Sequence, residues 1–333
     1  MNRGAIALAI LGTGEYAPAR RVSSASLDER LGKTPGWSER LTGVAERGVA
    51  GADETVITMG AAAARRAVEK AGISVSDLDA IIAVGSIPAQ AIPCTAVLLQ
   101  RELGLGTSGV AAFDINATCL GFLAALDVVS AAIHIGRFRR VLIVASEKPS
   151  CCLDWKDAGT SALFGDGAGA AVIGAAGPGR ELLATHFQTF SEAADLCRVR
   201  AGGTLLHPAA DLDAFLGGTT FEMSGPPLYR MAAQVMPGFL AQLLEQAGVT
   251  ADGIDVWVPH QASGKGQQHM QAALGLPAQR FAHTLSTHGN QVAASLPVAL
   301  HRSISSGQIQ HGMTLALIGT GAGLSLGGAI LRY

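Results

Sequence analysis

Apolar positions in this chain follow two rhythms. Short runs rich in Ile, Val and Ala, namely IALAILG (6–12), AIIAVG (80–85), VAAFDI (110–115) and VLIVAS (141–146), are apolar at nearly every position. Such runs predict strands covered on both faces. Between them, VITMGAAAARRAVEKAG (56–72) and CLGFLAALDVVSAAIHIG (119–136) carry apolar residues at helical spacing and close on Gly, which predicts helices. The second half repeats the pattern. A helix is expected over 231–248, a strand over DVWVPH (255–260), a helix over 291–307 and a strand over TLALIGTG (314–321). This alternation implies an α/β chain built from βαβ units with mostly parallel, buried strands.

Duplication is suggested by FGDGAGAAVIGAA (164–176) and IGTGAGLSLGGAIL (318–331), which share G-x-G-A-G ahead of an apolar run. The reading is two copies of one α/β unit, residues 1–177 and 178–333. The stretch 178–230, rich in Gly, Pro and polar residues, reads as an inserted cap or entrance region.

Composition narrows the function classes. The 333 residues are 49% hydrophobic and only 15% charged, with 42 Gly, which excludes disorder. Lys and Arg total 24 against 26 Asp and Glu, a net charge of −2, so no global basic field attracts nucleic acid or anionic lipid. No apolar stretch has the length of about 18–20 residues that crosses a bilayer. The opening MNRGAIALAILGTG reads as a first buried strand rather than a signal peptide, and a cytoplasmic protein is expected. The five cysteines (94, 119, 151, 152, 197) show neither metal spacing nor C-x-x-C, which suits a reducing compartment and predicts no metal site.

One motif invites a different reading. Gly165-Asp-Gly167-Ala-Gly-Ala170 formally fits the dinucleotide fingerprint G-x-G-x-x-A. That fingerprint must open a helix, whereas here it opens the strand-like AAVIG. A bound nicotinamide is therefore not expected, and no P-loop occurs.

The chemistry centres on Cys119. In FDINATCLGF a strand ends in polar Asn116-Ala-Thr118 and a helix then begins. A thiol on a first helical turn meets the positive end of the dipole, which favours thiolate; the alternative for such a Cys is a small buried hydrophobe. Two histidines stand out as partners. His260 follows the strand VWVP, and His288 lies with Asn290 around a Gly in STHGNQVAAS. Cys, His and Asn at strand-to-helix turns together point to nucleophilic catalysis.

FDINATCLGF, FGDGAGAAV, VPHQAS and THGNQVAAS, spaced as they are, resemble β-ketoacyl-acyl-carrier-protein synthase III and its relatives in the thiolase superfamily. GWSERLTGVAER (36–47), ETVITMGAAAARRAVEKAG (54–72) and the closing GGAILRY fit the same family. The resemblance implies the thiolase fold, two α/β halves stacked as five layers α-β-α-β-α, in a homodimer. It implies that Cys119 takes an acyl group from a coenzyme A thioester, and that His260 and Asn290 bind the oxygen of a malonyl thioester on acyl carrier protein and promote decarboxylation. The N–H groups of Cys119 and Ala322 become the oxyanion hole. No bound cofactor is implied. The alternative is an acyltransferase, or a head-to-head condensing relative, that works without malonyl decarboxylation.

The resemblance also marks departures. Trp37 of the family's nucleotide clamp is present, but its Arg partners are replaced by Leu41, with Arg40 alongside, and by Ala158. Ser263 and Thr320 stand where the family carries Asn and Phe. Ile92 is implied to reach across the dimer into the partner's acyl pocket, at the position where head-to-head enzymes carry a Glu base. Arg230, Lys265 and Arg302 are candidates for a basic rim that meets the carrier.

Overall fold

The computed structural model describes residues 4–177 and 179–333, and ten strands in two five-stranded sheets organise them. In chain order these are β1 (Ile6–Ala7), β2 (Ala9–Tyr16), β3 (Ala80–Val84), β4 (Ala111–Ile115), β5 (Arg140–Glu147), β6 (Gly167–Gly174), β7 (Glu181–Thr189), β8 (Val256–Pro259), β9 (Thr314–Gly321) and β10 (Ser325–Arg332). The first sheet runs β2-β6-β5-β3-β4 and the second β1-β7-β10-β9-β8. The order β2-β6-β5-β3 recurs as β7-β10-β9-β8, so the duplication read from G-x-G-A-G is a duplication of topology.

Six helices cover these sheets: α1 (Val56–Lys70), α2 (Thr95–Glu102), α3 (Gly121–His134), α4 (Gly225–Ala247), α5 (Gly264–Leu274) and α6 (Ser295–Ser305). Alternate residues of each strand face opposite ways. Ile81 and Ala83 pack outward on Met59, Ala64 and Leu99 of α1 and α2. Ala80, Ile82 and Val84 face inward with Phe122, Leu126 and Leu300, where Val256, Leu315 and Leu331 of the second sheet meet them. On the far side Trp257, Ala316 and Ile330 pack on Phe239 and Leu243 of α4. The result is the five-layered α-β-α-β-α stack. Double coverage explains why these strands are apolar at consecutive positions.

Three expectations change. The sheets are mixed rather than mostly parallel: β3 pairs parallel with β4 and β5, and β8 with β9, while the remaining pairs are antiparallel. The stretch 178–230 is not all insertion, because Glu181–Thr189 forms β7 of the second sheet. What departs from the repeat begins after β7, at a short helical segment over Ser191–Leu196. Finally, Ile6–Ala7 of the first segment pairs with β7 of the second half, so the first half contributes an edge strand to the second sheet. Residue 178, where the expected division falls, lies outside the described residues.

Candidate active site

Cys119 sits between β4 and α3. Asn116 Oδ1 accepts the Thr118 N–H at 2.9 Å, and Thr118 adopts a φ of 50°. A β-branched residue there is strained, at a cost of roughly 1–3 kcal/mol that the surroundings must offset. Cys119 is the middle residue of the 3₁₀ turn Thr118–Leu120, ahead of the α-helix proper. Its acidity differs from the helix-dipole expectation. Burial pushes the thiol up to about 12, the nearby Cys197 and Glu147 add to the rise, and the main-chain N–H groups of Ala322 and Cys119 itself act against it. Desolvation of a charged sulfur outweighs a partial dipole charge.

The second half supplies the opposite wall. A Cβ on Gly319 would lie 3.0 Å from Leu120 and 3.2 Å from His260, and one on Gly321 would lie 2.9 Å from the Thr118 hydroxyl. These glycines let β9 approach the Thr118–Leu120 turn closely, which brings the Gly319–Ala322 segment alongside Cys119. His260 leaves the end of β8, its N–H donating to the Ile318 carbonyl at 2.7 Å. Burial pulls its imidazole down to about 4, so the ring is neutral near pH 7. Its Nδ1 is buried and has no partner among the described residues.

Asn290 lies on a turn between two residues of positive φ, Gly289 at 68° and Val292 at 52°. Its Oδ1 accepts the Val292 N–H at 2.8 Å, while Nδ2 makes only a long contact, 3.5 Å, to the Ala262 carbonyl two residues past His260. The two halves are sewn together here. The Asn290 N–H donates to the Leu163 carbonyl at 2.9 Å, and the Gly165 N–H donates to the Asn290 carbonyl at 3.1 Å. A Cβ on Gly165 would collide with the His288 carbonyl, and one on Gly167 with the Gln291 side chain. The G-D-G-A-G motif is thus a close-packing device that opens β6, and no helix follows it to hold a pyrophosphate. His288, singled out with His260, bonds the Thr287 hydroxyl at 2.8 Å instead of joining Asn290.

The other candidates distribute unevenly. Ser263 caps α5 by accepting the Gly266 N–H at 3.1 Å, so its hydroxyl is committed to the helix. Thr320 lies between Gly319 and Gly321, and strand alternation turns it to the other face of the sheet. Trp37 starts the helix Trp37–Thr42 with the Lys33 ammonium 5.0 Å over its ring. That helix ends at Gly43, which meets Gly264 at the start of α5, and this brings the segment of Trp37 and Arg40 beside exposed Lys265. Arg230 is exposed on α4, and Tyr229–His269 edge contact at 5.9 Å joins α4 to α5. Arg302 is removed from the rim, because it pairs with Glu15. Ala158 opens the short helix Ala158–Ser161; nearby in sequence, the Arg30 guanidinium stacks 4.7 Å over Trp155. Ile92 is 86% exposed.

Two neighbours of Cys119 were not anticipated. Cys197 carries no local signal, since it comes from the stretch read as a cap. Glu147 did carry one: it is the acid that ends the otherwise apolar run VLIVASE. Among the described residues, no cluster of three or more His, Cys, Asp or Glu side chains could hold a metal ion, and no helix is long and apolar enough to cross a membrane.

Residues 113–191 match the family described as 3-oxoacyl-[acyl-carrier-protein] synthase III, and residues 244–333 match its C-terminal part. The chain is 37% identical over 325 residues to β-ketoacyl-[acyl-carrier-protein] synthase III of Rhizorhabdus wittichii, covering 97% of this chain and 98% of the relative. Among solved structures it is similar to 3-oxoacyl-[acyl-carrier-protein] synthase III of Aquifex aeolicus, with a TM-score of 0.89, 32% identity and coverage of 99% and 100% of the two chains. The Pseudomonas aeruginosa structure of the same description gives a TM-score of 0.89 and 31% identity over 98% of each chain.

Proposed function

We infer the reaction from the 3-oxoacyl-[acyl-carrier-protein] synthase III family, to which this chain belongs. It is a condensing acyltransferase of the thiolase fold. An acyl thioester primer and malonyl-acyl carrier protein give a 3-oxoacyl thioester and CO₂, a step of fatty acid biosynthesis. The following roles are our proposal for this chain's residues, with coenzyme A as the carrier of the primer.

Loading comes first. The Cys119 sulfur attacks the primer carbonyl, the carbon–sulfur bond to coenzyme A breaks, and the proton of the thiol ends on the departing coenzyme A thiol. The N–H groups of Cys119 and Ala322, which already act on Sγ, suit the oxyanion of that tetrahedral intermediate. The raised thiol keeps its proton until substrate enters.

Decarboxylation and condensation follow. As the malonyl carbon–carbon bond breaks, its electron pair passes into an enolate whose oxygen needs donors, not a base. His260 suits this because it is neutral: in the tautomer protonated at Nε2, that nitrogen donates to the enolate oxygen. Asn290 suits it because its oxygen is held by Val292, leaving Nδ2 to donate. The carbanion then attacks the Cys119 thioester, and collapse of the second tetrahedral intermediate returns the Cys119 thiolate, which takes a proton from solvent. The observation that carries this reading is a neutral imidazole and a pre-oriented amide on segments that pack against the Cys119 turn.

The rim residues Trp37, Arg40, Arg230 and Lys265 offer cationic and aromatic surface to phosphopantetheine or the acidic carrier, although Leu41 and Ala158 supply no guanidinium to a nucleotide. We also read the chain as a homodimer, with Ile92 reaching the partner's acyl pocket. Support comes from its exposure and from β4, an open sheet edge that leaves Phe113 38% exposed. The test is intact-protein mass after exposure to a panel of acyl-coenzyme A thioesters, with radiolabelled CO₂ release from malonyl-acyl carrier protein followed in parallel. Acylation without any CO₂ release overturns the condensing reading.

A further inference from the structure

Glu147 takes no part in the steps above, yet it closes β5 in the middle of the site. It is 2% exposed, and no Lys, Arg or His pairs with it among the described residues. An unpaired buried carboxyl is costly, so its bonds matter. A single oxygen, Oε1, accepts the Ser86 N–H at 2.7 Å and the Ala293 N–H at 3.3 Å. Ser86 follows β3. Ala293 belongs to the 3₁₀ turn Val292–Ala294 that immediately follows Asn290 and Gln291. Val292, with its φ of 52°, is a β-branched residue in a strained conformation, and such a turn persists only when its surroundings hold it. Three side chains do so: Ser295 Oγ takes the Gln291 N–H at 2.8 Å, Asn290 takes the Val292 N–H, and Glu147 takes the next one.

We propose that Glu147 is a positioning residue, a carboxyl clamp that ties the strained Asn290 turn of the second half to the strand ends beside Cys119 in the first half. The inference rests on the decarboxylating role assigned to Asn290. Its consequence is a division of effects: loss of reach loosens the Asn290 amide, and loss of charge alters Cys119. The titratable groups that face the carboxyl are Cys119 from the turn after β4 and Cys151 and Cys152 from the turn after β5. The carboxyl itself is pushed up to about 7, chiefly by burial, and its negative form raises the Cys119 thiol.

Two conservative variants separate reach from charge. Glu147→Asp keeps the charge but withdraws it by one methylene, so it cannot span Ser86 and Ala293 together. Glu147→Gln keeps the reach and the accepting oxygen but removes the charge. Acyl loading, CO₂ release and the pH midpoint of Cys119 alkylation, followed by peptide mapping, are measured for each folded variant alongside wild type and Asn290→Ala. For Glu147→Asp we expect CO₂ release to fall about tenfold or more, with loading within about threefold of wild type and an unmoved alkylation midpoint. For Glu147→Gln we expect CO₂ release within about threefold of wild type and an alkylation midpoint at lower pH. The proposal is overturned if Glu147→Asp decarboxylates at the wild-type rate, or if Glu147→Gln loses CO₂ release as fully as Glu147→Asp. Equal losses of loading and CO₂ release in both variants also overturn it. If Glu147→Asp does not fold, Glu147→Gln decides the matter by the same two readouts. A wild type that releases no CO₂ fails the functional reading instead, while the alkylation midpoints still report whether the carboxyl faces Cys119.

Discussion

Oδ1 of Asn290 accepts the main-chain N–H of Val292 at 2.8 Å, and in the proposed reaction this bond leaves Nδ2 as the end of the amide that faces the enolate. An amide turned the other way would aim an oxygen at the developing enolate and repel it. Asn290→Ala removes one donor, a loss that typically lowers rate by about 10²–10³. We expect the variant to accumulate acyl-enzyme while CO₂ release falls by that order. His260→Ala should do the same, and parallel mass and radiolabel measurements check both.

The nucleophile assignment makes a mapping prediction. Cys119→Ala abolishes covalent acylation by acyl-coenzyme A, whereas Cys151→Ala and Cys152→Ala leave it intact. Small electrophiles should behave differently. Cys151 is exposed, and the Cys152 thiol 3.5 Å away lowers it to about 7. Iodoacetamide near neutral pH should therefore mark Cys151 before Cys119. An acyl adduct mapped to Cys151 contradicts the assignment.

Opposite shifts at His260 and Cys119 fix the form of the pH dependence. His260 titrates at about 4 instead of 6.5, so its neutral, donating form persists as pH falls through the usual histidine range. Cys119 is shifted upward, so its thiolate fraction keeps growing as pH rises. Single-turnover loading should rise between pH 6 and 9 without a plateau, and CO₂ release should show no acid limb near 6.5. A limb there means a solvated, protonatable His260.

Assembly is open to a direct measurement. An unpaired β4 edge beside exposed Ile92 and Phe113 invites pairing with a second copy. Sedimentation at micromolar concentration should give about twice the 33.9 kDa chain mass. Phe113→Lys, a charge on that edge, should shift the population toward monomer.

Gly165 tests the seam between the halves. A methyl there meets the His288 carbonyl and the Arg47 side chain, and the Gly165 N–H holds the Asn290 carbonyl. Gly165→Ala is expected to lower stability by about 1–3 kcal/mol, the usual cost of overpacking, with a larger loss of CO₂ release than of loading. Thermal unfolding and the two single-turnover assays check this.

Much of the architecture was legible because doubly covered strands leave a plain mark. AIIAV, RVLIVASE and TLALIGTG came out as strands within a residue or two of their expected bounds. β7, ELLATHFQT, did not. It is only half covered, and its polar positions hide it within a stretch that reads as a cap. The helix ends were less legible than the helices. Cys119 and Val292 lie in 3₁₀ turns ahead of α3 and α6, where periodicity runs on but the backbone does not.

By itself the sequence determined the duplicated strand–helix alternation and the placing of Cys119 and His260 at strand-to-helix turns, because hydrophobic period and glycine punctuation act locally; Asn290 instead follows a helical turn, Leu285–His288. Only the tertiary structure decided what those three side chains are chemically. The Cys119 thiol is raised by burial under β9 and by Glu147, 28 residues away in the chain. His260 is kept neutral by desolvation, and the Asn290 amide is oriented by a strained turn braced from the other half. Ser263 became a helix cap and Thr320 turned to the other face for the same reason. Desolvation and hydrogen-bond geometry depend on which distant residues surround a group, and no local stretch of sequence records that.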